Sequence, residues 1–176
     1  MMREMNTTIQ FSGLKPGVYT YNFKLDSNFF DEFKNEKLQN GEVVFDVKLE
    51  KKERLMMFYF TYSGVVRTLC DRCLGEIEVP VAGEQTLCVK FSDTETSDNE
   101  DVVILPEHEY KIDLAQWMYE YVAISIPIRC VHPDDENGES TCDPAMLQYL
   151  AEANGETPAA DEEAIDPRWA ALKNLK

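Results

Sequence analysis

The sequence that decides the fold is LMMFYFTYSGVVRTLCDRCLGEIEVPV, residues 55–81. Residues 55–62 are apolar or aromatic apart from one threonine, which predicts a strand covered on both faces. Residues 65–69 and 77–81 predict two more strands, because β-branched and apolar residues dominate both. Cys70 and Cys73 lie between them, so the pattern places a CxxC motif at a turn between two strands.

Further strands are predicted on both sides of this stretch. Apolar and polar residues alternate over 18–25 and again over 43–49, and residues 85–91 read as another strand. The charged KKER segment predicts the turn of a hairpin after 43–49, and Asn40-Gly41 predicts another turn. The first half of the chain therefore predicts an antiparallel meander.

Three helices are predicted before residue 154. Residues 27–38 show helical spacing of phenylalanines, and Ser27 can cap that helix. Asp113 can cap a second helix, which Pro127 ends. Its apolar stripe consists of Leu114, Trp117, Met118, Tyr121, Val122 and Ser125. A third, short helix is predicted over Pro144–Ala153.

The predicted fold class is α+β: an antiparallel meander or barrel-like sheet with a few packed helices and a cysteine-bearing loop. Residues 1–153 are predicted to form a single domain. Residues 92–101 contain no hydrophobic side chain, which predicts an acidic loop. Residues 154–176 predict a linker followed by a C-terminal docking helix, which Asp166 caps.

The negative charge is concentrated in the second half of the chain. The net charge is −16, with 33 acidic and 17 basic residues. Residues 91–176 hold 20 of the acidic residues and 5 of the basic ones, and no Lys or Arg occurs between Arg129 and Arg168. Such a surface repels nucleic acid phosphate and attracts basic partners. The alternative is that these acidic loops only keep the protein soluble.

The first residues, MMREMNTTIQ, lack the apolar run of a signal peptide. No stretch approaches the roughly 20 apolar residues of a membrane span. The expectation is therefore a cytoplasmic protein without membrane contact. Because thiols are kept reduced in the cytoplasm, the five cysteines predict metal binding or burial and not a disulfide framework.

The context of the CxxC motif favours a metal over redox chemistry. Redox CxxC motifs begin a helix, whose N-terminus lowers the pKa of the attacking thiol. Here Cys73 precedes EIEVPV, which alternates like a strand, and paired thiolates at such turns are typical of zinc ribbons. The two missing ligands can come from Cys142 and either Cys130 or His132. The prediction is a structural zinc site with Cys70 and Cys73, and the alternative is a set of small buried hydrophobic thiols.

Catalytic motifs are missing from the sequence. It contains no GxxxxGK[ST], no GxSxG, no HExxH and no GxGxxG. The sequence therefore predicts neither an enzyme nor a small-molecule substrate. Basic side chains that could contact RNA phosphates are Lys51 and Lys52 near one hairpin turn, and Arg67 and Arg72 near the CxxC motif, although solvated turns often carry such charges.

Four segments, in this order, resemble the YceD-like family of bacterial large-subunit ribosomal RNA accumulation proteins. They are CDRCLGEIEVPV, YKIDLAQWMYEYVAISIPI, RCVHPDDENGESTC and DPRWAALKNL, and together they span residues 70–175. The family cysteine pattern falls on Cys70 and Cys73, and more loosely on Cys130, His132 and Cys142. The chain departs from the family in lacking a compact second cysteine pair.

The resemblance implies a cytoplasmic, non-enzymatic role in making, processing or stabilising 23S ribosomal RNA. Genes of the family often neighbour that of a small basic ribosomal protein. The implied partners are a 23S rRNA precursor or large-subunit assembly intermediate, and a basic ribosomal protein. Two alternatives are an escort chaperone for that ribosomal protein that does not contact RNA, and a thiol oxidoreductase.

On the leading interpretation, the protein is an adaptor with two sides. The near-neutral first half would contact RNA through Lys51, Lys52, Arg67 and Arg72. The acidic second half would hold a protein partner. The side chains assigned to that protein side are Asp134, Asp135, Glu136, Glu162, Glu163 and Trp169.

Overall fold

The structure is a computed structural model that describes residues 7–35, 38, 40–93 and 102–153. The chain divides into two compact units, residues 1–132 and 133–176. Most of the predicted acidic loop, together with the predicted linker and C-terminal helix, lies outside the described residues. The predicted extent of the domain therefore stays a prediction.

The first unit is built on an open sheet of five strands in the order β2-β3-β4-β5-β6. Strands β2 to β5 form an antiparallel meander, and β6 runs parallel to β5. Strands β1 and β7 pair separately as an antiparallel ribbon. The strands are β1 (Thr8–Gln10), β2 (Gly17–Leu25), β3 (Asn40–Lys51), β4 (Leu55–Leu69), β5 (Glu76–Phe91), β6 (Val102–Leu105) and β7 (Lys111–Asp113).

Three helices accompany these strands in the described residues: α1 (Ser27–Glu32), α2 (Ala115–Ser125) and α3 (Pro144–Ala153). The predicted α+β class and the meander are therefore confirmed. The sheet is open and not barrel-like, because β2 and β6 remain separate ends of the strand order. The short strands β1, β6 and β7 were not predicted, since three or four residues give too little periodicity.

The core lies on one face of the sheet. Alternate residues of β3 and β4 are buried there: Val43, Phe45, Val47, Leu49, Met56, Phe58, Phe60 and Tyr62. Helix α2 covers this face, and the Tyr62 hydroxyl donates a hydrogen bond to the Tyr121 carbonyl at 2.9 Å. The prediction that β4 is covered on both faces is wrong, because Tyr59 and Thr61 face solvent. Tyr59 instead lies under the Lys48 ammonium group, 5.6 Å from the ring centre.

Strands β4 and β5 are longer than the sequence predicts, because two glycines sit inside them. A Cβ atom at Gly64 would lie 2.2 Å from the Glu42 carbonyl oxygen of β3, and one at Gly83 would lie 2.5 Å from the Tyr62 hydroxyl. Both glycines therefore allow close approach within a continuous ladder and do not end a strand. The predicted breaks between 62 and 65 and between 81 and 85 are wrong.

Helix α1 is shorter than predicted and begins differently. Its N-cap is Asp26, whose side chain accepts a hydrogen bond from the Phe29 amide, while Ser27 is the first helical residue. The helix ends at Glu32, before Lys34 adopts a left-handed backbone conformation with φ 50°. The turn predicted at Asn40-Gly41 is wrong, because both residues belong to β3 and pair with β4.

Helices α2 and α3 lie where the sequence predicts them, but the prediction that Asp113 caps α2 is wrong. The N-cap is Leu114, which makes no side-chain cap hydrogen bond, because Asp113 is still the last residue of β7. In α2, Met118 and Val122 of the predicted stripe are fully buried, and the Ala115 amide donates to the Asp113 carboxylate at 3.0 Å. The helix ends two residues before Pro127, as expected from the constraint that proline places on the residue before it. Helix α3 has the predicted bounds and belongs to the second unit.

Candidate metal centre

The CxxC motif lies on a tight turn between β4 and β5, which we call the cysteine turn (residues 70–75). The Leu74 amide donates to the Cys70 carbonyl at 2.9 Å, and the Cys70 amide donates to the Gly75 carbonyl at 2.8 Å. The chain therefore reverses within six residues. The Arg72 amide also points at the Cys70 sulfur, 3.4 Å away. Such amide donors stabilise a thiolate, which is the form that binds a metal.

A second segment, residues 127–132, is fixed beside the cysteine turn by a reciprocal pair of hydrogen bonds. The Asp71 amide donates to the Cys130 carbonyl, and the Asp71 carboxylate accepts from the Cys130 amide, both at 2.7 Å. Asp71 thus holds residues 127–132, which follow α2, against the cysteine turn. The sequence analysis missed this role because nothing in one sequence shows which backbone groups a carboxylate will meet.

His132 lies at the end of this segment with both ring nitrogens engaged. Its Nδ1 is 3.3 Å from the Cys73 sulfur, and its Nε2 is 3.0 Å from the Glu76 carbonyl oxygen. Because a carbonyl only accepts, it favours the tautomer with the proton on Nε2, in which Nδ1 is unprotonated and can act as a metal ligand. Metal-binding histidines generally have a partner of this kind on the second nitrogen.

Four side chains lie close enough together to hold one metal ion. The ligand atoms of Cys70, Cys73, His132 and Cys142 all lie within 4.8 Å of one another. The three cysteines are buried, and His132 is half-buried. Since donor atoms in a tetrahedral zinc site lie about 3.8 Å apart, closing the site on an ion needs movements of roughly 1 Å. The donor set is Cys₃His, which is one of the common structural zinc sets.

The structure selects between the two ligands that the sequence left open. His132 belongs to the group, whereas Cys130 belongs to the hydrophobic core and its thiol points to the Pro127 carbonyl oxygen at 3.5 Å. Cys130 still contributes to the site, because its backbone carries the two hydrogen bonds to Asp71.

Hydrogen bonds within the site favour the thiolate form of Cys70. Burial raises the pKa of the Cys70 thiol, but hydrogen bonds from the backbone of Cys73, Arg72 and His132 and from the Cys73 side chain outweigh burial and lower the pKa to about 6. The pKa of His132 is raised, first by its hydrogen bond with the Cys70 sulfur and then by the Glu76 carbonyl. Once the His132 imidazolium loses its proton, the neutral imidazole and the neighbouring thiolate can both bind a metal cation.

The four basic residues predicted to contact RNA lie in two places. Lys51 pairs with Met56 at one end of the β3–β4 hairpin, and Arg67 lies eleven residues further along β4. At about 3.3 Å per residue this separation is on the order of 35 Å. Lys52 therefore lies near Lys51, and Arg72 near Arg67, but the two pairs do not form one patch.

All four of these residues already have interaction partners within the protein. The Lys51 ammonium group donates to the carbonyls of Phe11 and Leu14, at 2.6 and 2.7 Å. Lys52 forms an ion pair at 3.4 Å with Glu50. Arg67 forms an exposed ion pair with Glu78 at 3.0 Å. Exposed pairs of this kind break at little cost, so Lys52 and Arg67 are more available to a phosphate than Lys51 is.

Three of the six residues predicted to contact a protein partner lie in the described part of the second unit. Asp134, Asp135 and Glu136 lie on an exposed loop that is closed by a bridge between Asp134 and Ser140. The Asp135 carboxylate accepts hydrogen bonds from the amides of Glu139 and Asn137, which lower its pKa, the bond from Glu139 having the larger effect. Asp135 therefore shapes the loop. Glu162, Glu163 and Trp169 lie outside the described residues.

Comparison with family models identifies the family of this chain. A family model described as "Large ribosomal RNA subunit accumulation protein YceD" matches residues 58–176, which is more than half of the chain. The chain belongs to the YceD family. The YceD match begins within β4 and includes the cysteine turn, α2 and the loop that carries His132 and Cys142. The family description names the accumulation of large-subunit ribosomal RNA.

The other comparisons add no closer relative. No curated protein and no solved structure matches the YceD chain. None of the helices in the described residues combines the length and the apolar character that crossing a bilayer requires.

Proposed function

We propose that this YceD family member is a non-catalytic ribosome biogenesis factor that supports the synthesis, processing or stability of 23S rRNA in the cytoplasm. It would act as an adaptor on precursors of the large subunit. The observation that supports the proposal most directly is the family match over residues 58–176, whose description names large-subunit RNA. The Cys₃His group lies inside the matched region.

The proposed cofactor is structural zinc, held by Cys70, Cys73, His132 and Cys142. Four protein ligands would complete a tetrahedral shell, so no position would remain for a water or a substrate. The ion would then act by fixing the backbone, as structural zinc does elsewhere, with an apparent binding free energy on the order of 10 kcal/mol. This supports an adaptor and not a metalloenzyme.

The proposed adaptor has an RNA side and a protein side. Lys52 and Arg67 are the cations best placed to contact RNA, because their exposed ion pairs break at little cost. Arg72, near Arg67, is proposed to join them, while the Lys51 ammonium group holds the carbonyls of Phe11 and Leu14. The exposed acidic loop around Asp134 and Glu136 suits a basic ribosomal protein. Because charge attraction falls with salt, both contacts should weaken as ionic strength rises.

The decisive experiment is gradient fractionation of cells that carry a tagged copy of the protein, across a series of salt concentrations. An adaptor should sediment with precursors of the large subunit, and depletion should lower the amount of 23S rRNA. An escort chaperone should stay in the light fractions with a basic ribosomal protein. Finding the protein only in the light fractions would refute the leading proposal.

The thiol oxidoreductase is favoured by a single observation, the lowered pKa of Cys70. Complete burial of that thiol opposes the alternative, because an attacking sulfur must reach its substrate. Alkylation of the purified protein distinguishes the two functions. A metal-bound Cys70 should react slowly until a chelator is added, whereas a redox-active thiol should react rapidly without one.

A further inference from the structure

We infer that the protein forms a symmetric dimer in which the outer edge of β2 pairs with the same edge of a second copy. The two β2 strands run antiparallel with Tyr21 at the twofold axis, so that the two five-stranded sheets join into one. The inference goes beyond the proposed function and does not depend on it, because it rests on the register and the side chains of β2 and β3.

The outer edge of β2 is open to another strand. Strand β2 pairs with β3 over all nine of its residues, and in the described part of the chain no second strand pairs with it. At roughly 3.3 Å per residue, its unpaired N–H and C=O groups form a row about 30 Å long. An edge of this length is a template for another strand unless something blocks it.

The usual protections against pairing are weak on this edge. Natural edge strands are short, or carry proline, a bulge or several charged residues. Strand β2 contains no proline, its ladder with β3 has no bulge, and Lys24 is its one charged residue. The Lys24 ammonium group forms an ion pair with Glu42 of β3 at 3.3 Å, which reduces its repulsion of a second copy.

A second copy matches the aromatic side chains on the covered face of β2. Tyr19, Tyr21 and Phe23 pack against the core, but each is only half-buried. In the proposed pairing, each residue lies opposite the one at the same distance on the other side of Tyr21. Tyr19 therefore lies beside Phe23 of the second copy, and the two Tyr21 side chains lie beside each other. Such aromatic pairs stabilise neighbouring strands, and they cover the part of each ring that the core leaves exposed.

The charges on the solvent-facing side of the sheet also favour a second copy. On that face the side chains of β2 lie beside those of β3 in four pairs: Val18 with Glu50, Thr20 with Lys48, Asn22 with Asp46 and Lys24 with Val44. Thr20 lies opposite Asn22 of the second copy, so Lys48 of one copy and Asp46 of the other are at the two ends of that row. Val18 lies opposite Lys24 of the second copy, which is then roughly 10 Å from Glu50, two strands away. Each row across the axis therefore combines a cation and an anion.

The neighbouring registers lose this match. With the axis at Thr20, the two copies of Lys48 would lie at the ends of one row, and with the axis at Asn22 the two copies of Asp46 would do so. Both registers also leave part of β2 unpaired. Charge complementarity and full overlap of the nine residues therefore coincide in the register centred on Tyr21.

The test is sedimentation equilibrium of the purified protein with two matched double variants. Thr20→Lys with Asn22→Lys places like charges opposite each other twice, so the dissociation constant of the dimer should rise tenfold or more. Thr20→Glu with Asn22→Lys places opposite charges at the same positions, so the dimer should stay as tight or become tighter. Both native side chains are exposed in a single copy, and thermal melting checks that each variant folds.

Every outcome supports or overturns the dimer. A native protein that stays monomeric up to its solubility limit overturns it, and this result is expected if the edge of β2 binds only a strand of another protein. A dimer that both folded double variants retain equally, or lose equally, refutes pairing of Thr20 with Asn22. Dissociation in the lysine–lysine variant alone supports the assigned register. Sedimentation with ribosomal precursors is a separate measurement, so the proposed function stands or falls without this result.

Discussion

His132 shows how a single side chain can define a site that the cysteines only outline. Its Nδ1 lies beside the Cys73 sulfur and its Nε2 is held by the Glu76 carbonyl, so the ring has one orientation and one tautomer. Cys130 is two residues away and has the better metal-binding side chain by type, yet its thiol lies in the core. Position in the fold therefore outweighs residue type.

Replacing these two residues separates their roles. His132→Ala should reduce the metal bound per chain, or weaken binding by at least tenfold, because one of four ligands is lost. Cys130→Ala should leave the metal content unchanged, since the hydrogen bonds to Asp71 come from its backbone. Elemental analysis and a competition titration with a zinc chelator measure both. Equal loss of metal in the two variants would contradict the assignment of His132.

Asp71 is expected to affect metal affinity without touching the metal. Asp71→Ala removes the acceptor of the Cys130 amide and frees the segment that carries His132, so zinc affinity should fall by about 10-fold to 100-fold, as for other supporting residues. Asp71→Asn, whose amide oxygen can still accept, should retain most of the affinity. If Asp71→Ala binds zinc as tightly as the native protein does, the hydrogen bond from the Cys130 amide to the Asp71 carboxylate has no role in the site.

The elements of the sheet are held in register by close contact as well as by hydrogen bonds. Glycine at position 64 lets β4 approach β3 at the pair Gly64–Val43, where any Cβ would overlap the backbone. The overlap involves backbone atoms, which cannot rotate away as the end of a side chain can.

Gly64→Ala should therefore destabilise the protein by about 1–3 kcal/mol or more, as other overpacked sites do. Gly13→Ala is the matched control, because a Cβ there has no atom within 4 Å, and its effect should stay within about 0.5 kcal/mol. Chemical denaturation measures both differences. Equal stabilities would mean that β3 and β4 separate at Gly64 without cost.

At the scale of the whole molecule, the candidate metal ligands and the hydrophobic core lie in different parts of the protein. The core side chains Phe45 and Phe58 lie on the covered face of the sheet and Met118 lies on the buried side of α2, whereas the ligands lie on the cysteine turn and on the chain after α2. Removing the metal should therefore loosen the site without unfolding the sheet.

Hydrogen exchange of the native and the chelated protein tests this separation. Amides of residues 70–75 and 128–132 should lose protection after chelation, while those of β3 and the middle of β4 should keep it. Adding zinc back should restore the protection, which serves as the control for irreversible damage. Loss of protection across the whole sheet would show that the metal is required for the fold itself.

The sequence by itself determined the features that depend on neighbours a few residues apart. Alternation gave β2 and β3, helical spacing gave α2, and the CxxC motif at a strand-to-strand turn gave two of the candidate ligands. These features follow from whether a side chain points inward or outward, and that repeats with a short period.

Only the tertiary structure decided the features that depend on distant parts of the chain. These are the parallel pairing of β6 with β5, the unbroken ladder through Gly64, the choice of His132 over Cys130, and the hydrogen bonds between Asp71 and Cys130. The physical reason is that each depends on which backbone groups and side chains meet in space, and one sequence without its fold does not specify those meetings.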